Sequence, residues 1–378
     1  MKTITNRLGF VVALALMAFQ VDAQVGNTRY GTSAYPSLTG GGNSAFGAYP
    51  LYSNTTGNYN TALGTAAMYY NTSGSSNTAV GRWSLYSNTS GLNNTSLGAM
   101  SMFGNTYGVE NTALGTNSLQ RNTWGSYNAA TGMSALTWNT SGLFNTANGA
   151  YSIFNNGSGS DNTAQGAYSL YSNSTGSDNT ALGMNSLYFN STGYGNIGVG
   201  SSALSSNQNG SYNTVIGYAS GGGIVTGNRN TIIGANVTGL ASSLNNTIII
   251  ADGSGNQRLV IDNNGKAKIG SPSLTTPGTY KLYVEQGILT EKVVVAIANS
   301  VDWADYVFSP EYKLTPLKEV AKFVQTNHHL PNVPSANEVV KNGVDLATMD
   351  AKLLEKIEEL TLYIIQLENR ISSLEEKK

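Results

Sequence analysis

The chain has 378 residues, a net charge of -1, 44 glycines and no cysteine, and charged residues make up only 11% of it. The absence of thiols excludes disulfide staples, thiolate metal sites and a cysteine nucleophile. The near-zero charge excludes a global field that would draw nucleic acid or an anionic membrane, so no nucleic-acid partner is expected.

Residues 1–23 read as a secretory signal peptide. Lys2 and Arg7 form the charged start, residues 8–19 (LGFVVALALMAF) are an apolar run short for a bilayer span, and VDA (21–23) suits a cleavage site. Cleavage there leaves Gln24 at the mature N-terminus, where a lipoprotein would need a cysteine. An uncleaved transmembrane helix is the alternative. The expectation is an exported protein, extracellular or on the cell surface, with no transmembrane anchor in the mature chain. Residues 24–42 then read as an N-terminal leader.

From residue 43 to about 250 the chain repeats. The pentad Asn-Thr-Ala-Leu-Gly and its variants start at Asn43, Asn60, Asn77 and onward to Asn230, always 17 residues apart, and a last copy starts at Asn246 after 16. Low-complexity disorder does not hold such a register. Position five of each unit is Gly (Gly64 in the unit opened by Asn60), position twelve is Asn in the first ten units (Asn71) and position fifteen is Gly in the first eleven (Gly74). The resulting Asn-x-x-Gly tetrads suit type I turns, with glycine taking left-handed backbone angles where needed. Two extended pieces are expected between the turns, at positions one to five and eight to eleven. Position nine is apolar, from Leu51 and Met68 to Leu204, and position three is small, as at Ala45 and Ala62. These two columns predict one interior, large facing small. Position four mixes Leu63 and Leu97 with Asn148 and Gln165, so that column is expected to face a partner chain or water. A single coil buries too little to offset the entropy of ordering its backbone, whereas stacked coils share strand hydrogen bonds and one core. The fold class expected is therefore mainly β, a parallel β-roll or β-solenoid, and twelve coils at strand spacing make a rod of about 58 Å.

The Gly-punctuated pentads resemble the head repeats of YadA-like trimeric autotransporter adhesins, over about residues 43–250. The resemblance implies a left-handed parallel β-roll, three chains side by side, displayed at a surface as an adhesive head or stalk. The usual head unit is somewhat shorter than the 17 residues found here. A barrel anchor of about four alternating strands after the coiled coil, expected of that family, is not in this sequence.

Beyond residue 250 the composition shifts and acidic and basic residues concentrate. Residues 251–298 read as a β-rich neck: QRLVIDNNGKAKIG (257–270) as a hairpin turning at Asn263, Asn264 and Gly265, and residues 280–298 as alternating strand. Residues 299–345 read as a small region of helices and loops. Residues 314–327 have helical spacing, with Thr315 as N-cap and Pro316 at the first helical position, and a proline-punctuated loop (328–339) leads to another short helix. Residues 346–378 carry heptads: Leu353, Leu360, Leu367 and Leu374 at d, Ile357, Ile364 and Ile371 at a. Ile at a with Leu at d favours a parallel dimer. Against that, Arg370 at g and Glu375 at e, flanking Ile371 and Leu374, resemble the Arg-containing pattern of short trimeric coiled coils. Together with the head resemblance this favours a homotrimer.

Residues 280–378 also resemble the tails of bacterial proteins related to phage tail fibres, some of which carry a self-cleaving chaperone. Its Ser-Asp-x-Arg-x-Lys phrase is absent, and Ser309 and Lys313 are a poor substitute. His328 and His329 are adjacent in a loop without nearby carboxylates, a pattern of packing or capping more than of metal ligation. Asp302, Trp303, Asp305 and Tyr306 offer paired carboxylates but fit a structural turn with an anchoring Trp better. Between residues 24 and 250 there are four Arg, two Asp and one Glu, too few to polarise a substrate. Aromatic residues at positions ten and eleven (Tyr52, Tyr69, Tyr70, Tyr86, Phe103, Tyr171, Tyr188) form a ladder that either stacks on sugars or packs between coils or chains. The reading is a trimeric fibrous protein, adhesin-like and not an enzyme, with no cofactor or metal and with a host-surface, matrix or glycan ligand if any. Alternatives are an ice-binding solenoid using the Thr column (Thr61, Thr78, Thr95) and a self-processing tail-fibre-type chaperone.

Overall fold

The computed structural model describes residues 20–22, 26–34, 39–276, 278–296 and 303–377. Most of the expected signal peptide lies outside these residues. Gln20–Asp22 of it are described, as strand β1 running antiparallel to β2 (Asn27–Tyr30). The chain divides into two units, residues 1–287 and 288–378.

The first unit is a β-solenoid. Each coil contributes one three-residue strand at positions two to four, for example β4 (Thr61–Leu63) and β5 (Thr78–Val80), paired parallel and in register, Thr61 opposite Thr78 and Ala62 opposite Ala79. Parallel pairing of this kind runs from β2 to β15 (Ile248–Ala251). The array therefore opens one coil earlier than the sequence suggests. Asn27 occupies the first-position site, and its side-chain Oδ1 accepts from the Asn43 amide at 2.7 Å, so the described residues 27–34 and 39–42, within the stretch read as a leader, join the stack. At the other end Thr231 pairs with Ile248 and the Thr247 amide donates to Asn230 Oδ1 at 3.1 Å. Thr247, not Asn246, thus takes the first position and the spacing of 17 persists.

Positions eight to eleven are not a second strand. They belong to a turn in which positions seven and nine are left-handed (Ala66 φ 55°, Met68 φ 51°), and position seventeen is left-handed too (Ser76 φ 59°). Left-handed angles cost a non-glycine residue about 1–2 kcal/mol. They are held because they turn the amides along the stack: Ala66 N donates back to Ala48 O at 2.8 Å and Met68 N forward to Ser84 O at 3.0 Å. The inter-coil ladder thus continues around the corners where strands stop. The Asn-x-x-Gly tetrads are likewise not closed by a backbone turn bond. Gly74 N donates to Thr89 O of the next coil at 3.2 Å, and the bend is closed by Asn71 Nδ2 donating to Gly74 O at 2.9 Å.

The core is the expected pair of columns, with position nine (Leu51 to Leu204) and position three (Ala45 to Ala181) fully buried. Where position nine shrinks to Gly221, position three grows to Val215, which is buried, and in the next coil Ile232 is buried at position three while Thr238 at position nine is exposed. A Cβ on Gly221 would sit 3.2 Å from both Leu204 and Val215. Two asparagine ladders flank this core, and every member is buried. In the first-position ladder, Asn43 Oδ1 accepts from Asn60 N (2.9 Å) and Asn60 Nδ2 (3.1 Å), while Asn60 Nδ2 also reaches Gly74 O at 2.8 Å. In the twelfth-position ladder, Asn71 Nδ2 donates to Asn54 Oδ1 at 2.7 Å. Both ladders converge on the carbonyl of Gly74. A Cβ there would meet Asn71 Oδ1 at 2.4 Å, so that position admits only glycine. Gly64 (φ 138°) is held for a second reason, since a Cβ on it would meet Gly81 O at 2.6 Å.

The solenoid ends in antiparallel strands. β15 pairs with β16 (Gln257–Ile261), with a register shift at Ile250/Ala251, and β16 pairs with β17 (Ala267–Ile269). The turn falls as expected at Asn263–Gly265, with the Asp262 carboxylate accepting from the amides of Asn264 and Lys266, each at 2.9 Å. Of residues 280–298 only Leu282–Val284 form a strand, β18, parallel to β17; residues 285–296 have no regular structure and 297–298 lie outside the described residues.

Among its described residues the second unit holds a 3₁₀ turn (Ala304–Phe308) and three helices: α1 (Leu317–Asn327), α2 (Ala336–Asn342) and α3 (Leu346–Glu375). The N-cap of α1 is Pro316 and not Thr315, whose carbonyl accepts from the Tyr363 hydroxyl instead. α2 starts in a capping box between Ser335 and Glu338, and α3 starts at Asp345, which accepts from Thr348 N at 2.8 Å.

Candidate functional site

α3 spans the expected heptads as one helix, and its two faces differ. Ala351, Glu355, Lys356, Glu358 and Tyr363 are buried beneath the rest of the unit. The 3₁₀ turn supplies Ala304 and Val307, both buried, whereas Trp303 at its start is exposed, so the two small aliphatics and not the Trp are the anchors. Hydrogen bonds join the same face. Tyr306 OH donates to Glu355 Oε2 at 2.7 Å, Tyr312 OH to Glu359 Oε1 at 2.5 Å and Asn332 Nδ2 to Glu355 Oε1 at 3.3 Å. Lys356 Nζ bridges Glu355 (2.6 Å) and Glu359 (2.9 Å).

Burial pushes the Glu355 carboxyl upward, but the Lys356, Tyr306 and Asn332 bonds outweigh it and hold the group below its ordinary value. The bond to Glu355, with burial, pushes Tyr306 up to about 12. Burial and the Glu359 bond raise Tyr312. Glu358 differs: burial and nearby Asp305 raise its carboxyl, and its Oε2 has no hydrogen-bond partner.

The opposite face carries Leu353, Ile357, Leu360, Ile364, Leu367, Ile371 and Leu374, and all seven are between 45% and 64% exposed. From Ile364 to Lys377, including Arg370 and Glu375, every residue is exposed. The a/d seam is thus left open while the back of the helix is covered. The position-four column of the solenoid is a second apolar surface. Leu63 and Leu97 are exposed near its start and Ile216, Ile233 and Ile250 near its end, with Thr131, Asn148 and Gln165 between.

The remaining candidate residues have local partners. His328 ends α1 in a left-handed cap, its amide donating to Val324 O at 2.9 Å. The His329 ring stands edge-on to Phe323 at 5.5 Å. Among the described residues no three His, Asp or Glu side chains are grouped to hold a metal ion. The Ser309 hydroxyl donates to the Glu311 carboxylate, and Asp302 lies outside the described residues.

The position-ten aromatic residues form two runs along the solenoid. Tyr52, Tyr69, Tyr86 and Phe103 stack at 4.9, 5.4 and 4.9 Å, and Phe154, Tyr171 and Tyr188 stack at 5.1 Å each. Tyr70 stands edge-on to Tyr69. Rings inside a run spend both faces on neighbours, so inter-coil packing accounts for them. Two of the solenoid's arginines are also committed to rings, Arg82 over Trp83 at 3.6 Å and Arg121 over Trp138 at 3.8 Å. Among the described residues no helix is long and apolar enough to cross a membrane. No protein-family model matches the chain, and neither a curated protein nor a solved structure matches it.

Proposed function

We propose that this chain is the subunit of an exported, surface-displayed homotrimeric fibre, adhesin-like, whose work is structural or binding and not catalytic. The observation that carries the reading is the open seam of α3. Seven Leu and Ile side chains at heptad spacing face solvent, while the other face of the same helix is occupied by hydrogen bonds and buried contacts. An isolated helix end of this kind gains its stability by burying such a stripe against copies of itself. Arg370 and Glu375, both free to reach a neighbouring helix, favour three copies over two. The apolar position-four residues at each end of the solenoid suit lateral contact between the same copies, as the likeness to YadA-type head repeats implies. The solenoid's scarcity of charged side chains fits a surface that binds or spaces and does not transform.

Analytical ultracentrifugation of the purified chain tests this. The expected species has three chain masses, and a double Ile357→Glu/Ile364→Glu variant runs as a monomer with unchanged β signal, since both residues are exposed in the protomer. A monomeric parent chain sinks the reading.

A further inference from the structure

Both aromatic columns on one flank of the solenoid stop within a coil of each other. At position seven Tyr168 stacks on Tyr151 at 5.2 Å, and the next residue in that column is Asn185. At position ten Tyr188 stacks on Tyr171 at 5.1 Å, and the next is Ser205. Each terminal ring stacks on one neighbour, Tyr188 also meets Phe189 edge to face at 4.7 Å, and among the described residues no further ring continues either stack. Tyr168 lies 48° from the plane of Tyr171, which is within 5° of Tyr188, so the two terminal rings are inclined to one another.

Between them is an open surface groove of about 460 Å³ that Asn185, Ser202 and Ser205 also line, with Met184 and Phe189 more than half exposed at its rim. This volume lies within the usual range for small-ligand sites. The side chains of Asn185, Ser202 and Ser205 are half-buried and make no hydrogen bond within the described residues, whereas the asparagines of the two interior ladders are tied to their neighbours. No charged residue lines the groove.

We infer that this groove is a binding site for a neutral glycan, taking one or two hexopyranose rings. The apolar C–H face of a pyranose packs on a free aromatic face, and the hydroxyls around its rim need short, uncharged donors and acceptors. The Asn185 amide can do both with adjacent hydroxyls, and the two serine hydroxyls add partners below. The inference rests on the reading of the chain as a non-catalytic binding fibre and supplies its ligand class.

The test is saturation-transfer NMR and titration of the full chain with lactose, N,N′-diacetylchitobiose and 3′-sialyllactose. Transfer to ring C–H protons of at least one neutral disaccharide is expected, with no tighter binding of the sialylated sugar. Ser205→Tyr extends the Tyr188 stack into the groove; it should melt no lower than the parent and weaken binding at least about tenfold, as should Tyr188→Ala. Tyr52→Ala, in the other run, should bind like the parent. The inference is overturned if neither neutral disaccharide binds, if the sialylated one binds more tightly, or if Ser205→Tyr and Tyr188→Ala bind as the parent does. Sedimentation of the same samples separates the two readings: a trimer without glycan binding removes only this site, and a monomer that binds glycan removes only the assembly.

Discussion

In the solenoid the interior columns at positions three and nine pack within the chain, whereas α3 ends in a stretch where no residue is buried. Met68 and its column are sealed, and the asparagines beside them accept and donate along the stack. In the helix, Ile364 and Leu367 keep heptad spacing but remain 64% and 52% exposed. The difference teaches that a repeat satisfies itself by stacking, because each coil is the partner of the next. A single amphipathic helix has no such neighbour in its own chain. On the proposed reading of the chain as a self-assembling fibre, assembly rests on α3, and disruption of the solenoid should be felt as loss of fold, not loss of association.

The contrast is sharpest at the glycines. Gly115→Ala places a Cβ 2.5 Å from Gly132 O at φ 136°, and it should lower the solenoid's unfolding free energy by more than about 3 kcal/mol while leaving the helical signal of the second unit in place. Hydrogen exchange resolved by segment checks both halves of that statement.

Next come the ladders. Asn139 donates to Asn122 and accepts from Asn156, so Asn139→Ile strands buried polar atoms on two coils and should cost about 2–4 kcal/mol by thermal or denaturant unfolding. The reverse exchange has a different context. The twelfth-position ladder stops at Asn207, whose Oδ1 is buried without a partner because Ile224 occupies the next twelfth position. Ile224→Asn supplies the missing donor and loses an apolar side chain, so it should fall within about 1 kcal/mol of the parent. Equal costs for the two exchanges would mean that partners one coil away do not set the stability of these asparagines.

The smallest effect belongs to the second unit and depends on pH. The folded-state value of Glu358 is raised, so the stability it contributes is present below the ordinary glutamate value of 4.5 and is lost as pH rises through the raised value. Glu358→Gln removes that loss. The variant should gain on the parent as pH rises from about 4 to 7, read from the helical melting transition. A constant difference across that range would mean that Glu358 is not held away from water.

Much of the architecture was legible because stacking is unforgiving. A residue that must match the coils above and below repeats at the same phase, so the buried columns at positions three and nine and the glycines at five and fifteen stand out. The left-handed residues at positions seven and seventeen left no such mark. Ala66, Trp83, Met100 and Tyr151 share one backbone conformation and no side-chain chemistry, since that angle is set by the inter-coil amide bonds and not by local preference. The first coil was hidden for a similar reason, because one pentad (Asn27–Gly31) set 16 residues before the next breaks the period while keeping the pairing.

By itself, then, the sequence determined the period of 17, the interior columns, the closing hairpin and the helix with its apolar stripe. Each is a pattern of residue type at fixed spacing, and burial of one face demands that pattern whatever the surroundings. The tertiary structure alone decided that Thr247 stands in for an asparagine, that the second half of each coil is turn and not strand, and that two aromatic stacks end around one groove. It also decided which face of α3 the second unit covers. Those outcomes depend on what lies one coil away or on another helix, at distances along the chain that residue spacing does not encode.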